Sequence, residues 1–170
     1  MRLRHAKTLI TGKPGVGKTT LIRKIVEQIQ PVSMAGFLTT EIRFKGHRVG
    51  FELQGLNGDR RILAHVDLES RHRVGKYGVD TLGFEVFLEK LDLLNPQVQL
   101  IVIDEIGKME LFSSRFQRLV LEILNTKQPL LASIALHGNG FIKGVKQRPD
   151  VHLLRVTHDN RDHLLAEIFG

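Results

Sequence analysis

The segment Gly12-Lys-Pro-Gly-Val-Gly-Lys-Thr19 decides the fold of this chain, because it matches the phosphate-binding pattern GxxxxGK(S/T). A strand-like run at residues 7–10 leads into it, and helical periodicity starts directly after it. The apolar residues of that predicted helix share one face: Leu21, Ile22, Ile25, Val26 and Ile29. Glycines let successive backbone N–H groups turn inward, and the helix N-terminus adds its positive dipole end. The order strand, loop, helix therefore predicts a cradle for phosphate groups.

Two side chains at the end of this segment add chemistry that the glycines lack. Lys18 supplies a full positive charge for the β- and γ-phosphates of a nucleotide, and we predict that it takes part in catalysis. Thr19 supplies a hydroxyl group as a ligand for Mg²⁺. A glycine-rich turn with a surface lysine is the alternative, and the flanking strand and helix disfavour it.

A pair of carboxylates is the natural partner of this loop. The apolar run Leu100-Ile-Val-Ile103 predicts a buried strand, and Asp104 and Glu105 follow it directly. A carboxylate at the end of such a strand can hold Mg²⁺ through water, which is the role predicted for Asp104. Glu105 can orient an attacking water or accept its proton. The alternative is that acidic pairs end strands simply because the chain emerges into solvent there.

Farther along the chain, predicted strands alternate with amphipathic helices. Apolar runs at residues 100–103, 130–136 and 151–156 predict strands. Helices are predicted from near Asp80, from a cap at Ser113 or Ser114, and over residues 161–169. Continuous apolar strands between amphipathic helices are typical of a parallel sheet covered on both faces. The predicted fold class is α/β, with a mostly parallel sheet and helices on both faces, in a single domain over residues 1–170.

The region between the first helix and Asp80 has a different pattern. Residues 33–40 predict a second strand, and after it apolar and charged residues alternate on both sides of Gly46. Period-two alternation around a glycine turn is typical of a β-hairpin. Residues 61–66 predict a third antiparallel strand. We therefore expect an antiparallel insertion over residues 40–66, approximately, that extends the sheet.

The composition excludes several classes of protein. With 42% hydrophobic residues among 170, the chain has enough apolar material for one core, and it contains no cysteine for disulfides, thiolate metal sites or a thiol nucleophile. No apolar run approaches the length of about 20 residues that a membrane span requires, so we expect a cytoplasmic protein that is monomeric or weakly oligomeric. The net charge of +7 suits an anionic partner, either a phosphorylated small molecule or nucleic acid, or it describes a basic solvated surface.

The acidic residues at the end of the predicted strand 100–103 also match a second sequence pattern. Asp104-Glu-Ile-Gly107 formally reads DxxG, which senses the γ-phosphate in GTPases, but the guanine-specific NKxD pattern is absent. Asn160-Arg161-Asp162 is the nearest approach to it. Asn160 and Arg161 follow the last predicted strand and are candidates for contact with the nucleotide base. Capping of the closing helix is the alternative role of Asn160.

Several segments together resemble a known family. Besides the phosphate loop, these are Gly36-Phe-Leu-Thr-Thr-Glu-Ile-Arg43, Gly75-Lys-Tyr-Gly-Val79, Asp104-Glu-Ile-Gly-Lys-Met-Glu110 and Val156-Thr-His-Asp-Asn-Arg-Asp162. They are similar to segments of the small P-loop nucleoside-triphosphatases first described from thermophiles, a group that includes the cancer-related nucleoside-triphosphatases. The third segment is far more specific than the phosphate loop, which thousands of proteins share. The likeness covers nearly the whole chain.

The resemblance implies a RecA-like or kinase-like fold and Mg²⁺-dependent hydrolysis of nucleoside triphosphates to diphosphate and phosphate, with loose base selectivity. It assigns metal binding to Asp104 and water activation to Glu105, and leaves the roles of Lys108, Glu110 and His137 open. The phosphate-binding residues that it implies are Gly12, Lys13, Pro14, Gly15, Val16, Gly17, Lys18, Thr19 and Thr20.

Three questions stay open at this point. The first question is whether the protein is a hydrolase at all. A small-molecule or nucleotide kinase could use the same loop, with residues 60–73 as a lid. A nucleotide-dependent nucleic-acid-binding module is the second alternative. The γ-phosphate could also be faced by residues of the second strand, for which the candidates are Thr39, Glu41 and Arg43. The sequence does not choose among the possible arginine fingers, which are Arg71, Arg73, Arg115 and Arg118. Without such a finger we expect slow basal hydrolysis.

Overall fold

The computed structural model describes residues 1–29 and 32–169, in which it forms nine strands and five α-helices. The strands are β1 (Lys7–Thr11), β2 (Met34–Phe44), β3 (His47–Gly55), β4 (Arg60–His65), β5 (Arg73–Val74), β6 (Tyr77–Val79), β7 (Leu100–Ile106), β8 (Leu130–Ile134) and β9 (His152–Arg155). The helices are α1 (Lys18–Gln28), α2 (Thr81–Leu91), α3 (Ser114–Asn125), α4 (Gly140–Lys146) and α5 (Leu164–Ile168), with a short 3₁₀ turn at Glu110–Phe112.

All nine strands lie in one sheet with the order β5-β6-β4-β3-β2-β7-β8-β1-β9. Strands β2, β7, β8, β1 and β9 are parallel to one another, whereas β2, β3, β4, β6 and β5 are joined in that order by antiparallel pairs. The predicted α/β sheet with an antiparallel extension is therefore confirmed. The extension is larger than expected, since it continues through β5 and β6 to Val79. These two strands have two and three residues, which is too short for an alternating pattern to be visible.

Helices cover the parallel strands on both faces, as predicted. On one face α2, α3 and α4 pack through Phe84, Phe116 and Ile142, and on the other α1 and α5 pack through Ile22 and Leu164. Successive residues of β1 point to opposite faces of the sheet. Leu9 packs in the hydrophobic cluster on the side of α2, α3 and α4, and Ile10 packs in the cluster on the side of α1 and α5. Both are fully buried, which is why this strand reads as an unbroken apolar run.

Side-chain caps fix the starts of three helices. Asp80 accepts a hydrogen bond from Gly83 N (2.9 Å) and Ser113 accepts one from Phe116 N (3.0 Å), so α2 and α3 begin where their caps predict. Asn139 caps α4, a helix that the sequence pattern did not reveal. Its seven residues include two glycines, which weakens any periodic signal. Helix α5 begins at Leu164, three residues later than predicted.

Among the described residues, none of the helices has the length and apolar character needed to pass through a membrane.

Candidate active site

The phosphate-binding segment forms the loop between β1 and α1. Gly15 and Gly17 adopt left-handed backbone conformations, with φ of 76° and 104°, which other residues rarely adopt. Gly17 is the N-cap of α1 and brings no side-chain hydrogen bond to the helix end. Val16 is buried beneath the loop, whereas Lys13 and Pro14 are exposed. The loop therefore turns its backbone, rather than its side chains, toward the place where an anion would bind.

Lys18 lies against the loop that precedes it. Its Nζ donates hydrogen bonds to the carbonyl oxygens of Gly12 (3.0 Å) and Lys13 (3.3 Å). The same Nζ lies 3.8 Å from Oε2 of Glu105. The side chain is 11% exposed, so little solvent screens its charge. The ammonium group is held between the phosphate loop and the end of β7.

Asp104 is the centre of the polar network at this site. Its Oδ2 accepts a hydrogen bond from Thr19 Oγ1 (2.7 Å), and its Oδ1 accepts one from Ser133 Oγ (2.5 Å). From β2, Thr39 N donates to Oδ2 (3.4 Å) and the Thr39 hydroxyl donates to the Asp104 carbonyl oxygen. The Asp104 side chain is buried. The structure thus brings together Thr19 and Asp104, the two predicted metal ligands, and adds the Ser133 hydroxyl and the Thr39 backbone N–H, which hold the carboxylate in place.

A β-bulge explains how Asp104 and Glu105 both reach the loop. In a regular strand, consecutive side chains point to opposite faces of the sheet. Ile103 lies opposite Ala132, and Ile106 lies opposite Ile134. Three steps along β7 therefore correspond to two steps along β8, and the pairing of the two strands shifts between these residues. One extra residue therefore lies in β7 at this point, and such a bulge changes the direction of side chains. Glu105 can then face Lys18 while its neighbour Asp104 contacts Thr19.

Burial changes the acidity of the two glutamates near the end of β7. It raises the pKa of Glu105, an effect that the charge of Lys18 opposes and that of Asp104 reinforces. Glu110 is buried in the turn after β7, and burial together with the charge of Glu105 raises its pKa well above the usual value. A Cβ atom on Gly107 would lie 2.8 Å from Glu105 Oε1 and 3.1 Å from Glu110 Oε2. The two carboxyl groups therefore approach each other over a glycine that leaves room for both.

The residues predicted near the nucleotide base lie in the loop after β9. The side-chain amide of Asn160 accepts from Thr157 N and donates to Arg155 O, both at 2.8 Å, and so closes this loop. Arg161 is exposed, and its Nη1 lies 3.8 Å from the position of a Cβ atom on Gly17. Arg161 thus borders the phosphate loop, whereas the polar atoms of Asn160 are used by the backbone. Their contact with a base stays a prediction.

The candidates from the second strand separate into two groups. Thr39 joins the network around Asp104, as described above. Glu41 instead pairs with Arg43 (2.6 Å) and with Arg48 (3.1 Å) on the exposed hairpin of β2 and β3. These three charges satisfy one another, which accounts for their alternating pattern without a role at the phosphate loop.

Other candidates lie outside this network. His137 is exposed in the loop after β8, and Ser133 is the residue of that strand that contacts Asp104. Lys108 is exposed and borders a cavity of about 480 Å³ that Arg73 and Asn139 also line. The exposed Thr20 follows Thr19 in the first turn of α1.

The four candidate arginine fingers make no ion pair or hydrogen bond to the loop, Asp104 or Glu105 within the described part of the chain. Arg115 pairs with Glu89 (2.5 Å), and Arg73 donates to the carbonyl oxygens of Leu68 and Lys76. A lysine that the sequence pattern did not reveal does influence a residue of the site. Lys146 Nζ donates to Leu136 O (2.8 Å), just beyond β8, and its charge acts on the pKa of Glu105.

The oxygen atoms at the loop suit Mg²⁺. Thr19 Oγ1 and Asp104 Oδ2 are 2.7 Å apart and combine a hydroxyl with a carboxylate, which are hard donors of the kind this ion prefers. They supply only two protein ligands, and Mg²⁺ characteristically completes its shell with water and substrate phosphates. The donor set therefore fits the ion that the sequence analysis predicts.

Comparison with known proteins agrees with this geometry. A family model described as NTPase matches residues 7–169. The nucleoside-triphosphatase THEP1 of Thermotoga sp. (strain RQ2) is 42% identical over 165 residues, which span 96% of this chain and 94% of that protein. The human cancer-related nucleoside-triphosphatase is 39% identical over 175 residues, spanning 94% of this chain and 92% of the human protein.

The fold is shared as well. The crystal structure of THEP1 from Aquifex aeolicus matches with a TM-score of 0.85 at 36% identity, and the match covers 95% of each chain. The resemblance found in the sequence is therefore confirmed over nearly the full length. By family model, sequence identity and fold, this chain belongs to the NTPase family.

Proposed function

We propose that this protein hydrolyses nucleoside triphosphates to the diphosphate and phosphate with Mg²⁺, and that it accepts ATP, GTP, CTP and UTP with little selection. The observation that carries the proposal is the convergence of four side chains at the phosphate loop. Lys18 and Thr19 at the start of α1 meet Asp104 and Glu105 at the bulge of β7. Membership in the NTPase family supports the same activity.

In this mechanism the chain's own groups bind the phosphates, orient the attacking water and accept its proton. The backbone amides of the loop and the Lys18 ammonium bind the β- and γ-phosphates. Thr19 and Asp104 would hold Mg²⁺, which neutralises charge that develops on the phosphate oxygens. Glu105 orients water toward the γ-phosphate and accepts its proton, a role for which its half-buried position near Lys18 is suited.

Low base selectivity follows from what the loop after β9 offers. The amide of Asn160, which could have distinguished one base from another, is engaged with Thr157 N and Arg155 O. Arg161, which borders the loop, carries only donors and an exposed, flexible side chain. Phosphate contacts then supply most of the affinity, and these are common to all four nucleotides.

The wider setting of the enzyme is proposed on composition. Its lack of cysteine and its nucleotide substrates fit the cytoplasm, and nothing in the catalytic geometry described above requires a second copy of the chain. Nucleic acid is a second possible partner because of the net charge of +7. If nucleic acid takes part, hydrolysis will rise when RNA or DNA is added, and that increase will fall steeply with salt.

The test is phosphate release from each of the four triphosphates by the wild type and by Glu105→Gln. We expect all four to be hydrolysed, and the variant to lose about 10²–10⁴-fold in kcat while it still binds nucleotide. Glu122→Gln, in an exposed position on α3, is the matched control and should behave as the wild type. If nucleotide binds but no triphosphate releases phosphate, water is not the acceptor. A kinase reaction then replaces this proposal, and nucleosides and small alcohols are the acceptors to screen.

A further inference from the structure

Lys146 lies beside the edge of the sheet that carries Asp104, Glu105 and the phosphate loop. It lies in the last turn of α4, and its Nζ donates to the carbonyl oxygen of Leu136, two residues beyond the end of β8. Strand β8 lies between β7, which carries Asp104 and Glu105, and β1, which leads into the phosphate loop. Because these strands are parallel, their carboxyl ends meet at one edge of the sheet. Leu136 O, and the ammonium bound to it, are therefore held at that edge.

Electrostatics also place Lys146 among the charges of the site. Burial lowers the pKa of Lys146, with a further contribution from the charge of Arg155. Lys18 lowers it too, whereas Glu105 raises it. The effect is mutual, since Lys146 opposes the rise in the pKa of Glu105. The charges of Lys146, Lys18 and Glu105 are therefore close enough to influence one another.

The ammonium of Lys146 has hydrogen-bond donors that no described residue uses. An ammonium group has three hydrogen-bond donors, and the described residues provide one partner, Leu136 O. The side chain is half-buried and tied to Leu136 O, so its charge is only partly screened by solvent. Two donors remain for an anion at the edge of the sheet.

We propose that Lys146 acts as a built-in counterpart of an arginine finger, with its ammonium bound to the γ-phosphate of the nucleotide and stabilising the charge that develops there during transfer to water. The role rests on the proposed function and concerns the same site. Lys18 would contact the phosphates from the loop, and Lys146 from the end of β8. None of the four arginines considered from the sequence has a comparable link to the site. The chain then supplies its own cation and does not require a partner's.

The experiment compares Lys146→Met with Lys143→Met, which removes an exposed lysine from the same short helix. Two quantities are measured for each: kcat, and the dissociation constants of ADP and of a non-hydrolysable ATP analogue. For Lys146→Met we expect kcat to fall about 10²–10³-fold, the size found when one donor to a developing charge is removed. The ATP analogue should lose at least about tenfold in affinity relative to ADP, which lacks the γ-phosphate. Lys143→Met should change neither quantity more than twofold.

A purely structural role has a different signature. If Lys146 only ties α4 to the loop after β8, Lys146→Met will lower Tm and weaken both nucleotides equally, and this result overturns the proposal. A kcat within threefold of wild type overturns it too. Lys146→Arg, which keeps the charge, should restore most of the activity and the preference for the ATP analogue. Lys146→Gln, which can still donate to Leu136 O, provides the same comparison if the methionine variant does not fold.

The binding measurement also keeps this proposal separate from the proposed hydrolysis. If the wild type releases phosphate from no triphosphate, the hydrolase assignment fails. The affinities for the ATP analogue and ADP then still decide whether Lys146 contacts the γ-phosphate.

Discussion

The two halves of the sheet differ in both burial and chemistry. In the parallel half, β1 and β8 are buried along their whole length, because helices cover both faces. In the antiparallel half, α2 packs on one face, while large apolar side chains such as Phe44 and Ile62 are exposed. The network around Asp104 draws on β7, β8, the phosphate loop and Thr39, at the boundary of the two halves. The lesson is that the proposed catalytic geometry belongs to the carboxyl edge of the parallel strands, where polar groups are fixed on several sides.

The largest expected difference between the two halves appears when one carboxylate charge is removed from each. Asp104→Asn keeps the shape of the side chain but removes the negative charge that would hold Mg²⁺, so we expect kcat to fall at least about 10³-fold. Asp67→Asn, in the exposed loop after β4, is the control and should leave kcat unchanged. Phosphate release measured over a range of Mg²⁺ concentrations checks both. An Asp104→Asn variant with near-normal activity would show that the site described above is not the catalytic centre.

A smaller effect is expected from a residue that positions the carboxylate. Ser133→Ala removes the hydrogen bond to Asp104 Oδ1 and leaves Thr19 and Asp104 themselves unchanged. Groups that orient a metal ligand are typically worth about 10–100-fold in metal affinity or activity, and we expect a loss in that range. The measurement is the Mg²⁺ concentration for half-maximal activity. A variant that needs no more Mg²⁺ than the wild type would contradict this role of Ser133.

The same substitution in the two halves should change the pH dependence of stability in opposite directions. Burial raises the pKa of Glu110 in the folded state, so the unfolded chain releases this proton at lower pH and wild-type stability falls as pH rises above about 4.5. Glu110→Gln removes this loss. Relative to the wild type, the variant should gain at least about 1 kcal/mol, roughly 2–4 °C in Tm, between pH 5 and pH 8. A constant difference in Tm across this range would show that Glu110 titrates as it does in the unfolded chain.

Glu41→Gln is the counterpart in the antiparallel half and the smallest effect. Although its partial burial acts in the other direction, the hydrogen bonds from Arg43 and Arg48 lower the pKa of Glu41. Its contribution to stability is therefore present above pH 4.5 and is lost as pH falls through the lower folded-state pKa. The pair is exposed, so we expect a loss of at most about 1 kcal/mol at pH 7 and an unchanged kcat. A large loss of activity would return Glu41 to the list of site residues.

The sequence was most informative where function constrains backbone and side chain together. The phosphate loop was predictable because its glycines, Lys18 and Thr19 each have a physical reason to stand at their spacing. The position of Asp104 and Glu105 beside this loop was predictable because carboxylates end an apolar strand, and their roles stay a prediction. The two-faced α/β sheet followed from continuous apolar strands between amphipathic helices.

The rest depends on contacts between distant segments. Ser133 stands within an apolar strand, and its hydroxyl becomes meaningful only when β8 pairs with β7 beside Asp104. Lys146 lies in a seven-residue helix with two glycines, so neither the helix nor the direction of its side chain was visible in the sequence. Asn160 had the right type and place for a base contact, yet its amide closes its own loop. In each case the deciding partner is a backbone group or a residue that pattern alone cannot locate.

The strand lengths across the sheet have a consequence for how the protein behaves in concentrated solution. The longest strand, β2, has 11 residues and lies in the middle, whereas the strands at the two margins, β5 and β9, have two and four. Unpaired backbone groups at a sheet margin are what let one molecule add its strands to another, and short marginal strands offer few of them. The nine-stranded sheet is thereby protected from growing into intermolecular aggregates.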